Sequence, residues 1–317
     1  MRNTRKYCGA AVLLALLLLL SLTACGGSAP RDDGRLKIIA TSFPGYDLAR
    51  AVTGELADVQ LLLPPGTESH SYEPTPRDIL NVQGCDLFVY LGGESDAWVD
   101  TILNSIDTPV KTLKMIECVP TLEEEPLEGM ETQHDHEHGQ VVEVDEHVWT
   151  SPVNAVQIME HIAAEIVAMD EANAETYAAN ENAYAAELNQ LDGEIRAFLS
   201  TVREPVMVFG DRFPLRYFTH AYGITSYAAF PGCSTQTEPS AATIAYLTDL
   251  VREKGLSTVY YIEFSNHLVA DSIAEATDVG TALFHSCHNV SRQELDEGIT
   301  YLKLMRQNLE TLKATMK

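Results

Sequence analysis

A two-lobed α/β architecture, each lobe a mostly parallel sheet flanked by helices, is predicted by three features of the sequence. Short apolar runs alternate with helix-like stretches in the first half, and the same alternation returns in the second. A long helical stripe separates the halves. Roughly 290 residues follow a removable leader, more than a single hydrophobic core usually serves.

In the leader, Arg2, Arg5 and Lys6 form a positive n-region and Ala10 to Leu20 an apolar h-region; Leu22-Thr23-Ala24-Cys25 resembles a bacterial lipobox. Residues 1–24 therefore read as a lipoprotein signal peptide, Cys25 as the lipidation site and 25–35 as a flexible tether. A transmembrane anchor is the alternative, but the apolar run is short for a span. The formal net charge of −25 becomes −28 once the three basic leader residues are gone. Such a surface argues against nucleic acid as a partner. No other long apolar stretch follows, so the mature part reads as a soluble extracytoplasmic protein.

The N-terminal lobe is read over 36–170. Strands are expected at 36–42, 58–63, 86–91 and 110–116, with helices near 44–54, 75–84 and 95–106. Ligands of such sheets bind beyond the carboxyl ends of the strands. Segment 121–146 breaks the pattern: its ten acidic residues and absence of Lys or Arg leave no apolar face to bury, so it is expected to be a mobile loop. His134, His136 and His138 lie at its centre.

Helical periodicity begins at Asn154. Tyr177, Tyr184, Leu188, Leu191, Ile195, Phe198 and Val202 then recur at steps of three, four and seven, one face of a helix of about 30 residues placed at 171–203. A plain core helix would show the same stripe. The C-terminal lobe, 204–317, repeats the alternation, with strands at 205–209, 225–229, 257–263 and 281–284 and helices near 213–222, 239–254 and 266–277. A last helix carries Leu295, Ile299, Leu302, Met305, Leu309 and Leu312 on one face. No sequence-level repeat relates the halves.

Two histidines stand at strand-to-helix junctions. His70 lies in Gly66-Thr67-Glu68-Ser69-His70-Ser71-Tyr72-Glu73-Pro74-Thr75-Pro76, and His147 in Asp145-Glu146-His147-Val148-Trp149-Thr150-Ser151-Pro152. In an acidic chain with a third His-rich segment they point to a divalent metal, for which neutral imidazole is a good ligand. These motifs resemble those of the metal-binding lipoproteins of bacterial ABC uptake systems, the zinc/manganese solute-binding family (cluster A-I, zinc type), and the resemblance runs from about residue 36 to the end.

The resemblance implies two α/β lobes joined by one long helix, with 171–203 as that helix, and His70 and His147 as the first two metal ligands. At the third position relatives carry His or Glu; an ungapped match puts Arg212 there, which cannot bind a cation. Asp211, one residue earlier, is the replacement candidate; an N-cap or a salt bridge to Arg212 is its other reading. At the fourth position relatives carry an acidic residue, and His285 falls there, in Phe284-His285-Ser286-Cys287-His288. His288 and Cys287 are second choices. Glu263, ending the preceding strand, is expected to face the cleft, either as a weak ligand or as a hydrogen-bond partner of a ligand imidazole.

Among the remaining cysteines, a Cys233–Cys287 disulfide is expected, because both fall in loops at the metal-facing edge of the second lobe; Cys85 and Cys118 are expected to stay free thiols. His134, His136 and His138 resemble the metal-capturing loop of zinc members of the family. The implied function is extracytoplasmic Zn²⁺ binding and delivery to the membrane permease and ATPase of an ABC importer, by a lipid-anchored monomer that is not an enzyme. A nitrogen-rich ligand set favours zinc over manganese. The alternatives are a manganese or iron importer lipoprotein and, from another class, a secreted zinc hydrolase, for which the chain lacks a His-Glu-x-x-His signature.

Overall fold

A computed structural model of the chain describes residues 34–124, 128–129, 144–232 and 239–316, and for His70 the backbone. Cys25 and the leader, the loop histidines 134, 136 and 138, and Cys233 lie outside the described residues. Two four-stranded parallel sheets form the frame. The first holds β1 (Leu36–Ala40), β2 (Ala57–Leu61), β3 (Leu87–Tyr90) and β4 (Lys111–Lys114) in the order β2-β1-β3-β4. The second holds β5 (Val206–Phe213), β6 (Thr225–Pro231), β7 (Thr258–Tyr261) and β8 (Gly280–Leu283) in the order β6-β5-β7-β8. All eight strands fall where apolar runs predict them, and both sheets follow one topology.

The inner strands β1, β3, β5 and β7 are largely buried, whereas the edge strands β2, β4 and β8 are mostly half-buried or exposed. Along the inner strands neighbouring residues enter different cores, as a two-residue period requires. Ile38 joins a central core with Trp149, Phe209 and Tyr301, while Ile39 joins an outer one with Phe88 and Val99. In the second sheet Met207 and Phe209 face the central core and Val208 an outer one with Phe230 and Ala270. The central core therefore runs through both lobes, and Leu36–Lys317 forms one compact unit.

Helices α1 (Phe43–Thr53), α2 (Pro76–Gln83) and α3 (Val99–Leu103) belong to the first lobe. Thr75 and Asp78 start α2 with a reciprocal capping box beside Pro76. After α4 (Pro152–Met169) the chain breaks at Asp170, which accepts hydrogen bonds from Tyr177 and Asn173, and re-enters helix as α5 (Ala174–Leu199). This is the long helix of the sequence pattern, shorter at both ends, and it joins the lobes. Its first half reaches α1 through Asn180 to the Val52 carbonyl at 2.9 Å and Tyr184 to Asp47 at 2.8 Å. Its second half meets α6 (Arg216–Tyr222), where Tyr222 donates to Asp192 and Arg196 to the Ala221 carbonyl. The second lobe adds α7 (Ala241–Lys254) and α8 (Leu268–Thr277).

Two expectations change. The last helix is two pieces, α9 (Arg292–Asp296) and α10 (Tyr301–Thr315), because Gly298 turns the chain at φ 71° and Thr300 caps a new helix start. The loop at 121–146 has an ordered stem, closed by an antiparallel bridge from Glu123 to Val144, with Asp145 and Glu146 buried behind it.

Asp96 ties the carboxyl edge of β1 to that of β3. Its Oδ2 accepts the Leu91 amide at 2.6 Å and the Thr41 hydroxyl at 3.1 Å, while Oδ1 has no partner among the described residues. Burial pushes its pKa up to about 7, against the pull of the Leu91 amide and the Thr41 hydroxyl, with Glu146 adding to the rise. A raised pKa makes the protonated form the stabilised one. This contribution is complete below the ordinary aspartate value of 3.8 and is lost as pH rises through about 7. Asp96→Asn should therefore gain stability relative to the wild type between about pH 5 and pH 8, by at most about 3 kcal/mol. Urea melts at the two pH values check this, and a gap that does not move with pH would refute it.

Candidate metal-binding cleft

The carboxyl ends of both sheets meet at a small cleft, as expected where strand order reverses in an open parallel sheet. Its walls are Thr67 to Ser69 after β2, His147, Arg212 at the end of β5, Ile262 to Phe264 after β7, and Ser286, His288 and Asn289 after β8. The space within is about 30 Å³, room for one ion or water. His70 lies in the 3₁₀ turn Ser69–Ser71, next to the Ser69 wall, and the Ser69 hydroxyl donates to the Ser95 carbonyl.

His147 is 1 % exposed and opens the 3₁₀ turn Val148–Thr150 that leads into Pro152 and α4. Its Nδ1 lies 3.1 Å from Asp145 Oδ1, which also accepts the His147 amide. A carboxylate is an acceptor only, so Nδ1 carries the proton and Nε2 keeps its lone pair. Burial works against charge on this ring, but Asp145, then Glu146 and Glu124, outweigh it and hold its pKa above the usual value. Tyr217 fixes Asp145 from behind, donating to its carbonyl at 2.8 Å. Glu146 accepts the Ser95 amide; burial raises its pKa, but His147 and Ser95 pull it below the ordinary value.

His288, the second choice from sequence, lines the cleft; its ring centroid lies 6.3 Å from that of His147 and 5.2 Å from that of Trp149. His285, the first choice, does not line it. Its Nδ1 accepts the Cys287 amide at 2.8 Å, so the ring proton sits on Nε2 and neither nitrogen offers a lone pair to an ion. Asn308 clamps the His285 backbone, accepting its N–H and donating to its carbonyl, both at 2.8 Å.

Asp211 is neither a cleft residue nor a helix cap. It lies in β5, beyond the irregularity after Phe209, and both its oxygens take backbone amides, those of Arg212 and Ile262. It thereby ties the ends of β5 and β7 together. Glu263 does face the cleft, but Ser286 occupies it, with its amide at 2.8 Å on Oε2 and its hydroxyl on Oε1. Its Oε2 is 3.6 Å from His285 Nδ1, too far for a hydrogen bond. The Cys287 thiol is free and buried, its expected partner Cys233 lying outside the described residues; burial pushes this thiol far up in pKa. Cys85 and Cys118 are free thiols as well.

Sequence reasoning missed Glu68 and the fate of Arg212. Arg212 Nη2 donates to Glu68 Oε2 at 2.8 Å, an ion pair across the cleft between the two lobes. The only signal in the sequence was an arginine where a ligand was expected.

Residues 38–315 match the family model described as zinc-uptake complex component A, periplasmic (ZnuA). The chain belongs to the ZnuA family. It is 33 % identical over 309 residues to the zinc-binding lipoprotein AdcA of Streptococcus pneumoniae R6, a match covering 96 % of this chain and 60 % of AdcA. The chain thus spans about three-fifths of the length of that relative. The high-affinity zinc uptake system protein ZnuA of Bacillus subtilis 168 is 32 % identical over 321 residues, covering 98 % of each chain. Among solved structures, the Zn(II)-bound ZnuA-like domain of S. pneumoniae AdcA superposes with a TM-score of 0.72 at 30 % identity, over 89 % of this chain and 99 % of that one. Within this ZnuA frame the histidines of the cleft wall are His147 and His288, with the His70 turn beside them.

Glycine is required where β5 runs under α8: a Cβ on Gly210 would sit 2.4 Å from the Ala270 Cα and 2.5 Å from its backbone nitrogen. Gly210→Ala should lose about 1–3 kcal/mol or more of stability, because a helix backbone cannot swing aside. Chemical denaturation measures this; an unchanged midpoint would mean that β5 and α8 are free to separate.

Proposed function

We propose that the chain is the extracytoplasmic zinc-binding component of an ABC importer, holding one Zn²⁺ in the cleft and surrendering it to a membrane permease driven by an ATPase. The observation that carries this reading is the cleft itself: room for one ion, two imidazoles in its wall, and one of those, His147, with its Nδ1 proton directed at the Asp145 carboxylate. His70, His147 and His288 are the proposed ligands. Glu263 would add an oxygen only by giving up Ser286. Imidazole-rich coordination suits zinc, whereas manganese or iron asks for more oxygen. A hydrolase would need a cleft carboxylate at liberty to act as base, and Glu68 and Glu263 are both engaged. Lipid anchoring at Cys25, capture of ions by His134, His136 and His138, and a monomeric state complete the proposal.

Competitive titration of the stripped full-length chain with zinc and manganese tests it. One tight zinc per chain is expected. His147→Ala and His288→Ala should each cost more than the 10–100-fold typical of a residue behind the ligands, and His285→Ala less. Loss confined to His285→Ala would reverse the assignment, and manganese preference would refute the zinc reading.

Zinc affinity should fall with acidification, because a protonated ring cannot bind. For His147 the loss begins above the ordinary imidazole value of 6.5, the ring being held basic by Asp145. Asp145→Asn should weaken binding at neutral pH by about 10–100-fold and move the pH midpoint down. A midpoint that stays put would separate Asp145 from His147.

A further inference from the structure

Arg212 is the only arginine or lysine in the cleft wall among the described residues. An arginine beside a cation site repels the cation unless its charge is paired, and here it is paired with Glu68. Glu68 precedes His70 by two residues, and its loop is fastened on the other side as well: Gly66 donates to the Val290 carbonyl at 2.9 Å, and Asn289 to the carbonyls of Pro64 and Thr67. The Glu68 backbone is thus fixed in the wall, and the guanidinium draws its carboxylate across to β5. The other wall carboxylate, Glu263, is bound to Ser286. What the wall leaves for an ion is imidazole nitrogen.

We propose that Arg212, through its ion pair with Glu68, is the selectivity-determining positioning residue of the cleft: it withholds a carboxylate from the ion and so keeps oxygen-seeking cations such as Mn²⁺ out of a nitrogen site. This rests on the zinc-binding reading above. The guanidinium suits the task because it never loses its charge and its planar fork matches a carboxylate. Freed, Glu68 would add an anionic oxygen next to the histidines, which raises manganese affinity more than zinc affinity.

The test is the zinc-to-manganese preference of the full-length chain, from competition titrations, with the Co²⁺ absorption spectrum as a report on donor atoms and circular dichroism as a check on folding. Arg212→Gln should lower the preference at least about tenfold and change the Co²⁺ spectrum as an oxygen ligand enters. The double variant Arg212→Gln with Glu68→Gln should return the preference to within about threefold of the wild type, since no carboxylate remains to be released. Arg212→Lys keeps the charge and loses the fork, so a partial fall is expected; it serves also if Arg212→Gln does not fold. An unchanged preference in a folded Arg212→Gln or Arg212→Lys chain overturns the proposal. So does a double variant that behaves like Arg212→Gln alone, because the effect would then be bare charge and not Glu68. A wild-type chain that binds no zinc refutes the zinc reading itself, a result told apart by the wild-type titration.

Discussion

The loop that follows β8 is hydrogen-bonded to the opposite lobe at nearly every turn, and the cleft depends on those bonds. Trp149 donates its indole N–H to the Ser286 carbonyl, Phe43 its amide to the His288 carbonyl, and Gly66 its amide to Val290; Asn289 reaches two carbonyls of the loop before His70. His288 is carried by the second sheet but fixed by the first lobe. Trp149, Phe43, Ser286 and Asn289 are buried, so a polar atom left there without a partner would be costly. The same loop takes Glu263 through Ser286, so the end of β7 is set by it too.

Charge in the cleft is arranged by pairing. Asp145 serves His147, Glu263 serves Ser286, and Glu68 serves Arg212. A chain this acidic could have built an oxygen cage, yet the carboxylates of the wall are spent on neighbours. Acidity of the whole chain and chemistry of the site are separate properties here: the formal net charge is −25, yet each of these carboxylates has a partner of its own.

Much of the fold was legible because the inner parallel strands read as short apolar runs; the edge strands, only partly buried, were placed by their alternation with helices. The similar organisation of the two halves was legible as a repeated alternation, but no sequence repeat accompanies it, because topology constrains the pattern of burial and not residue identity. The split of the last helix was hidden because the stripe from Leu295 to Leu312 keeps helical spacing across Gly298. At the site, His147 and its Asp145 came from a local motif. His285 against His288 turned on which ring accepts the Cys287 amide, a matter of hydrogen-bond direction to which spacing is blind. Asp211 looked like a ligand because it neighbours one position, but a strand end needing two amides satisfied had the stronger claim on it.

Truncation before the last helix would remove more than a packing stripe. Tyr301 donates its hydroxyl to the Trp149 carbonyl and its amide to Asp47, and Asn308 grips both sides of the His285 peptide. These contacts span 152, 254 and 23 residues of chain. A chain ending before α10 would keep the bonds that Trp149, Phe43 and Gly66 make to the loop presenting His288, but would lose those that Tyr301 gives to Trp149 and Asp47 and the clamp on His285. The cleft wall is thus backed by the far end of the chain, and a shortened chain would own His147 and His288 without the contacts that stand behind them.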